Sequence, residues 1–457
     1  MSGGTSEEPV IDRDHARSAA AAVLDLAGTD GVEVLCIGSA IGLTRFAGSL
    51  IIQNTARDEL RAYVRVSVDG RVASAVTNQL DPASLGRAAN SALEAAKASL
   101  PDPAWDGFPS PDEVGRAEGV MRWDQSTADA DAHQRAAAVS DILTVAGDAG
   151  ASGIYETSSH SYAIFSSEGI DCYDAYTRCV TTALLDRGDA TGWGEASSHA
   201  MGEVAHADAA RRSLEKAKNG ASPTDVEPGT YEVVLEPAAV QTLIEYLAYM
   251  GFGGKQVLDG ESFLSVRAGA DVAASDVTVT DDVHDPLSVG IGFDLEGVPR
   301  RRVAVIDGGR ATGPVTDRRT AAKLGAPLTG HYAGSGEVGP YASNVVLEGG
   351  TQSKEELISG VEDGILVTRF HYVNVLDRPS TLLTGMTRDG TFRIKNGEVA
   401  GAMHNFRFAQ DVLDALASTL GVGSDKAAFA PEYGSFGSTV APSLRLGRFH
   451  FASRTSH

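Results

Sequence analysis

Only three cysteines occur in the 457 residues, Cys36, Cys172 and Cys179, an odd number without Cys-x-x-Cys spacing. That scarcity argues against a disulfide framework and against a thiolate zinc site. Basic residues are also few: 38 Lys and Arg stand against 61 Asp and Glu, leaving a formal net charge of -23. Phosphate binding is driven by clustered Lys and Arg, so neither nucleic acid nor an anionic membrane is expected as a direct partner. No apolar run approaches bilayer length, and Met1 to Asp14 is polar and acidic with no apolar centre, so the expected compartment is the cytoplasm. Gly-x-Ser-x-Gly is missing, and Gly334-Ser335-Gly336 reads as a glycine loop. Gly251-Phe252-Gly253-Gly254-Lys255 lacks both the spacing and the strand-to-helix placement of a phosphate cradle. Among eleven histidines there is no His-x-x-x-His, His-Glu or Cys/His spacing of diagnostic value.

What is present is a chain able to bury a large core, with 42% apolar residues. The pattern reads as α+β. Residues 1–12 are expected to be a disordered lead, and 13–222 an N-terminal unit with an antiparallel sheet and flanking helices. In that unit Asp14–Ala27 and Asp81–Ser99 have helical period around β-like runs at Val32–Ile37, Ile41–Phe46, Ser49–Asn54, Glu59–Val68 and Arg71–Thr77. Asp69-Gly70 marks a hairpin. Pro101 to Pro111 is a loop or linker. The helix–sheet–helix pattern then recurs over Asp129–Asn219, so 13–100 and 120–220 are two candidate halves of either a repeat or one intertwined sheet. Gly220 to Gly229 is the clearest boundary, and 230–457 should be mostly antiparallel β with an Asn396-Gly397 type I′ turn. Its expected strands include Gly364–Tyr372, Thr391–Lys395 and Glu398–Phe408, with a helix at Ala409–Leu420.

The most informative stretch is Tyr231–Leu264. A β-like run, Tyr231 to Leu235, feeds Glu236-Pro237, and a helix follows with Val240, Leu243, Ile244 and Leu247 on one side until Gly251, Gly253 and Gly254 stop it. Together with Thr44-Arg45-Phe46-Ala47-Gly48-Ser49, Asp281-Asp282-x-x-x-Pro286, Phe293 to Pro299, Asn344 to Gly350, Glu362 to Ile365 and Ile394 to Glu398, it resembles the TldD/PmbA (modulator of DNA gyrase) family. In that family the TldD branch carries His-Glu-x-x-x-His on this helix, where two imidazoles hold zinc and the Glu polarises the attacking water. The window here reads Ile244-Glu245-Tyr246-Leu247-Ala248-Tyr249, and a register moved by one residue pairs Glu245 with Met250. Neither register supplies a histidine. The branch's late cysteine is matched by phenylalanine in Tyr433-Gly434-Ser435-Phe436-Gly437-Ser438.

The resemblance therefore implies the non-catalytic TldE/PmbA-like branch: no catalytic residue, no cofactor and no metal in this chain, with Ile244, Glu245 and Tyr249 as a vestigial site. It also implies a TldD-like partner holding the zinc, or self-pairing as a dimer, and unfolded peptide as substrate. Glu245 is either a relic of the water-activating base or a solvated or salt-bridged helix residue. Two rivals stand beside this reading: a homodimeric peptide-binding or scaffold protein, and an autonomous hydrolase with a metal site around His371 and His404. His284, next to Asp282 and Asp285, is a weaker ligand candidate. His331 is expected to face solvent from a glycine-rich loop, and Arg300-Arg301-Arg302 and Arg318-Arg319 to be strand-edge charges or contacts to an acidic partner.

Overall fold

Alternation of buried and exposed side chains produces long strands in the first half of the chain. The computed structural model describes residues 10–432 and 436–455. Helix α1 (Arg13–Leu24) is capped by Asp12, and β1 (Gly31–Ala47), β2 (Leu50–Val68) and β3 (Arg71–Thr77) follow. The β2–β3 turn has Asp69 at φ 49 and Gly70 at φ 69, the left-handed pair that a type I′ turn requires. Helix α2 (Pro82–Ala98) starts on an Asp81 cap with proline in its first turn, where the missing N–H costs nothing. Single turns α3 (Pro111–Val114) and α4 (Gln125–Ala128) precede α5 (Ala132–Ala146), β4 (Gly150–Ser166), β5 (Asp171–Arg187), β6 (Ala190–Ser198) and α6 (His206–Asn219).

The two candidate halves form one antiparallel sheet in the order β3-β2-β1-β4-β5-β6, joined where β1 pairs with β4. Each pair of short runs expected before and after residues 37 and 54 is a single strand. Ile11, inside the expected disordered lead, is instead 2% exposed, and its carbonyl accepts a hydrogen bond from the Tyr173 hydroxyl at 2.9 Å. Residues 1–9 lie outside the described residues. On one sheet face Val32, Val34, Cys36 and Phe165 pack against α1 and α2, while Tyr155 and Cys179 pack against residues of α5 and α6. Leu35, Tyr162, Ile164 and Tyr176 on the other face meet Val289, Ile291 and Phe293.

The second half continues through β7 (Gly229–Leu235), α7 (Pro237–Gly251), α8 (Gly254–Leu258), α9 (Leu264–Arg267), β8 (Val279–Asp281), β9 (Val303–Asp307) and β10 (Arg310–Ala311). Next come α10 (Arg318–Leu324), β11 (Asn344–Leu347), α11 (Lys354–Ser359), β12 (Asp363–Asp377), β13 (Leu382–Lys395) and β14 (Glu398–Ala402). Then β15 (Phe406–Asp411), α12 (Val412–Ala417), β16 (Thr419–Val422), β17 (Ala427–Phe429), β18 (Ser438–Ala441) and β19 (Leu444–Arg454) complete it. One sheet runs β10-β9-β8-β11-β18-β17. In the other, the order β12-β7-β19-β15-β13 returns on itself because β13 also pairs with β12, closing a small barrel. Phe370, Phe408, Phe449 and Phe451 lie together in its core, with ring centroids 4.7 Å apart for Phe370 and Phe408 and 5.2 Å for Phe449 and Phe451. Most pairings are antiparallel, but β7 with β12 and β11 with β18 are parallel.

The expected strand Glu398–Phe408 breaks between Ala402 and Phe406, and the helix expected over Ala409–Leu420 is shortened to Val412–Ala417. The reason is tertiary: Ala409, Gln410 and Asp411 remain paired with Thr384, Leu383 and Leu382 of β13. The proline-rich loop after α2 is pinned to the second half. Arg318 donates to the Gly107 carbonyl at 2.7 Å, and Arg319 to Asp102 at 3.2 Å.

Candidate functional site

Strand β7 delivers the chain into α7 through Glu236, whose backbone is extended and whose successor, Pro237, begins the helix. Burial would raise the Glu236 carboxyl, but ammonium groups of Lys216 at 2.5 Å and Lys354 at 3.0 Å outweigh it and hold the pKa at about 2. Helix α7 is buried nearly all round, with Val240, Leu243, Ile244 and Leu247 each 0% exposed. A helix of that kind belongs to a core, not to a surface.

The three residues of the candidate vestigial site face different surroundings. Ile244 is locked among core aliphatic and aromatic side chains. Glu245 is 9% exposed at the wall of a groove of about 920 Å³, which Tyr246, Tyr249, Tyr341, Asn374 and Arg378 also line. Tyr249, 45% exposed, receives a hydrogen bond from Arg378 at 3.0 Å, with the guanidinium 4.7 Å from its ring centroid.

Glu245 is not the solvated or salt-bridged residue that the sequence suggests. One oxygen accepts the Glu432 backbone N–H at 2.9 Å, and the other accepts from the Gln241 amide and, at 3.5 Å, from the Thr439 hydroxyl. Its partners are neutral because the neighbouring turns of α7 and the β18 wall are themselves apolar or neutral. Burial, reinforced by the nearby Glu432 carboxylate, pushes its pKa up to about 7, against these hydrogen bonds.

Zinc does not fit this constellation. Ile244 and Tyr249 stand where the resemblance would put imidazoles, and both Glu245 oxygens are occupied by donors. No group of three or more His, Cys, Asp or Glu able to hold a metal is found among the described residues. The purified chain is accordingly expected to carry zinc far below stoichiometry in elemental analysis. About one tightly held zinc per chain would overturn that expectation, since such a site needs three protein ligands and water.

The histidine rivals fare differently from one another. His371 pairs with Met386, which on its other side pairs with Arg407, so β13 separates His371 from the segment that holds His404. His371 packs on the Tyr372 ring at 4.3 Å between centroids, and His404 lies 4.0 Å from Asp225. Sheet pairing keeps the two apart, which removes the metal site imagined around them. His284 is exposed on its loop, its N–H bonded to Asp282.

His331, expected to face solvent, is 2% exposed. Its Nε2 lies 2.9 Å from Asp281 and its Nδ1 2.9 Å from the Thr329 hydroxyl. Arg300, expected at a strand edge, is 5% exposed and reaches the same Asp281 at 3.4 Å, whereas Arg302 does lie at the surface with Asp282 and Glu348. The glycine-rich loop is folded inward because Asp281 needs partners for a charge that has left water.

Residues from the first half reach the same region, which no spacing in the sequence signals. Glu195 of β6 has its pKa pushed to about 7 by burial, moderated by Arg369 and raised further by Glu245 and Glu432. The Arg369 guanidinium sits 3.8 Å from the Trp193 ring centroid and donates to Asp389 at 2.7 Å. Asp389 in turn accepts from the Thr191 hydroxyl at 2.6 Å. These contacts bind β6 to β12 and β13. Of the late turn, Phe436 lies 5.7 Å from Tyr162 and 5.8 Å from the Arg300 guanidinium, and residues 433–435 lie outside the described residues.

Residues 228–453 match the family described as the PmbA/TldA metallopeptidase C-terminal domain. Among curated proteins, the chain is similar to a metalloprotease of Methanothermobacter thermautotrophicus, 28% identical over 47% of this chain and 47% of that protein. A metalloprotease of Methanocaldococcus jannaschii is 26% identical over 41% of this chain and 42% of that protein. The chain thus spans less than half the length of the curated relatives it matches. Among solved structures, TldE from Thermococcus kodakarensis superposes with a TM-score of 0.84 at 19% identity, covering 96% of this chain and 99% of that one. A putative modulator of a DNA gyrase from Thermotoga maritima gives 0.82 at 19% identity over 96% and 99%. These two share the fold.

Proposed function

We propose, from the match of residues 228–453 to the PmbA/TldA metallopeptidase C-terminal domain, that the chain is the TldE/PmbA-like, non-catalytic subunit of a zinc peptidase. The catalytic zinc would reside in a TldD-like partner, and the pair would trim or degrade unfolded peptides in the cytoplasm. Among the described residues no helix is long and apolar enough to cross a membrane. The observation that carries the reading is the α7 window itself. Ile244 is packed into the core, and Glu245 is held by three donors, so the helix that resembles the zinc-bearing one offers no donor set for a metal.

The groove gives the chain a part to play without the metal. Tyrosine faces and the Arg378 guanidinium suit an extended peptide, whose backbone seeks hydrogen bonds and whose side chains seek apolar or aromatic surface. A peptide-binding scaffold that works without a catalytic partner is the second reading that this groove allows.

Replacement of Glu245 tests the role of the one retained triplet member. In a reconstituted complex Glu245→Gln is expected to leave peptide cleavage within a few-fold of the parent. A fall of about 10²-fold or more would mark a lost general base and defeat the reading. The substitution also has a pH signature. The Glu245 pKa is raised to about 7 in the fold, so the fold binds the proton more tightly than the unfolded chain. That contribution is full below about pH 4.3 and is lost as pH rises through about 7. The variant should therefore show a shallower loss of melting temperature between pH 5 and pH 8 (roughly that window) than the parent.

A further inference from the structure

Strand β2 is longer than its neighbour on one side. It pairs with β1 from Leu50 onward, but β3 covers only Ala62–Val68, so Leu50–Arg61 presents a row of unpaired backbone groups. Leu50, Ile51 and Ile52 are 69%, 42% and 62% exposed. The stretch contains no proline or lysine, the usual protections of a free edge. Its charges, Arg57 and Arg61 against Asp58 and Glu59, sum to zero in a chain of net charge -23. An otherwise self-repelling molecule has here a neutral, apolar-led edge that a copy of itself can approach.

We propose that Leu50–Arg61 is the seam of a two-fold dimer, in which β2 pairs antiparallel with β2 of a second copy and Ala56 lies on the axis. This inference rests on the reading of the chain as a subunit that works in pairs. The register follows from side-chain pairing. With Ala56 on the axis, Ile52 faces Leu60, Gln53 faces Glu59, Asn54 faces Asp58 and Thr55 faces Arg57, and no like charges are opposed. An axis at Arg57 or Asp58 would set like charges against each other, and one at Thr55 would set Ile52 against Asp58 and Ile51 against Glu59.

Arg135 supplies an independent observation. Its side chain lies over β1 and is only 3% exposed, yet its hydrogen bonds go to three neutral oxygens: the Ala130 carbonyl at 2.8 Å, Thr157 Oγ1 at 3.3 Å and Asn54 Oδ1 at 3.4 Å. Its Nε has no partner. The proposed register brings Asp58 of the second copy beside Asn54, on the side of the sheet where this guanidinium waits. A carboxylate there would offset more of the cost of burying this charge, which Asp131 at the start of α5 does not outweigh.

Ala56→Cys tests the seam, because Cys36, Cys172 and Cys179 are all buried and should stay silent. Mild oxidation is expected to give a covalent dimer on a non-reducing gel, while Val76→Cys, exposed on β3, gives none. Independently, Ile52→Lys should weaken the dimer by about tenfold or more in analytical ultracentrifugation, as expected when a charge enters an apolar pair. A dimer that neither cross-links at residue 56 nor responds to Ile52→Lys would overturn the seam and leave the paired-subunit reading intact. Assembly only with a TldD-like chain, with no self-cross-link of the Ala56→Cys variant, would overturn the choice of a second copy as occupant. A strict monomer that also fails to join such a chain would overturn the seam and the reading beneath it.

Discussion

Mixed with a family member that carries His-Glu-x-x-x-His, this chain is expected to yield peptidase activity against unstructured peptides, rising from no detectable cleavage to turnover on the order of 1 per second or faster. Alone, it should cleave nothing. The reasoning is that α7 and the groove are intact while the chemistry at Ile244 and Tyr249 is apolar or phenolic, so a metal-bound water has to come from another polypeptide. Light scattering of the mixture should show a heteromer replacing the separate components. A mixture that neither assembles nor cleaves would defeat the proposed function. If the His-Glu-x-x-x-His protein were equally active without this chain, the paired-subunit reading would fail while the scaffold reading stood.

Removal of Asp281 should have the largest effect on stability. This carboxylate, 1% exposed, accepts from His331 Nε2 at 2.9 Å, from the Asn344 N–H at 2.8 Å and from Arg300 at 3.4 Å. Burial alone would raise its pKa, but Arg300 and His331 hold it well below the usual carboxylate range. Asp281→Ala leaves the Arg300 guanidinium buried without an anion and is expected to cost about 3–5 kcal/mol. In a unit of this size that is a fall of roughly 10 °C in melting temperature. The pH dependence has the opposite sign to that at Glu245. A depressed carboxylate contributes stability that is present above the unfolded value near pH 4 and is lost only as pH falls through the lower folded value. Asp281→Asn should consequently narrow its deficit relative to the parent under strongly acid conditions. A loss below about 1 kcal/mol for Asp281→Ala would show that the network is dispensable.

The sequence made the local devices legible and left the convergent ones hidden. The Asp81 start of α2, the Asp69-Gly70 and Asn396-Gly397 turns, and the apolar side of α7 depend on residues a few positions apart. Their physics can be read in a short window. By contrast, His331 looked exposed because nothing near it in sequence announces Asp281, fifty residues earlier. Glu245 looked solvated because its partners include Glu432 and Thr439 from the far end of the chain. Glu195 and Trp193 belong to the first sheet, and only packing brings them to Arg369 and Asp389. The helix expected over Ala409–Leu420 is shortened to Val412–Ala417 for the same reason, since pairing of Ala409–Asp411 with β13 overrides a local preference.

The closed ring β12-β7-β19-β15-β13 also sets a timetable for making the protein. Strand β7 emerges from the ribosome first, yet both of its neighbours, β12 and β19, come much later, and β19 is the last strand described. Until β19 has been synthesised, β7 and β15 each lack a neighbour, and the phenylalanines Phe370, Phe406 and Phe408 lack the Phe449 and Phe451 rings that cover them. Such late, distant pairings make folding slow and leave the nascent chain sticky. A chain released before β19 would therefore be a target for chaperones and aggregation, so β19 has to be made before this half of the molecule can close its barrel and meet a partner.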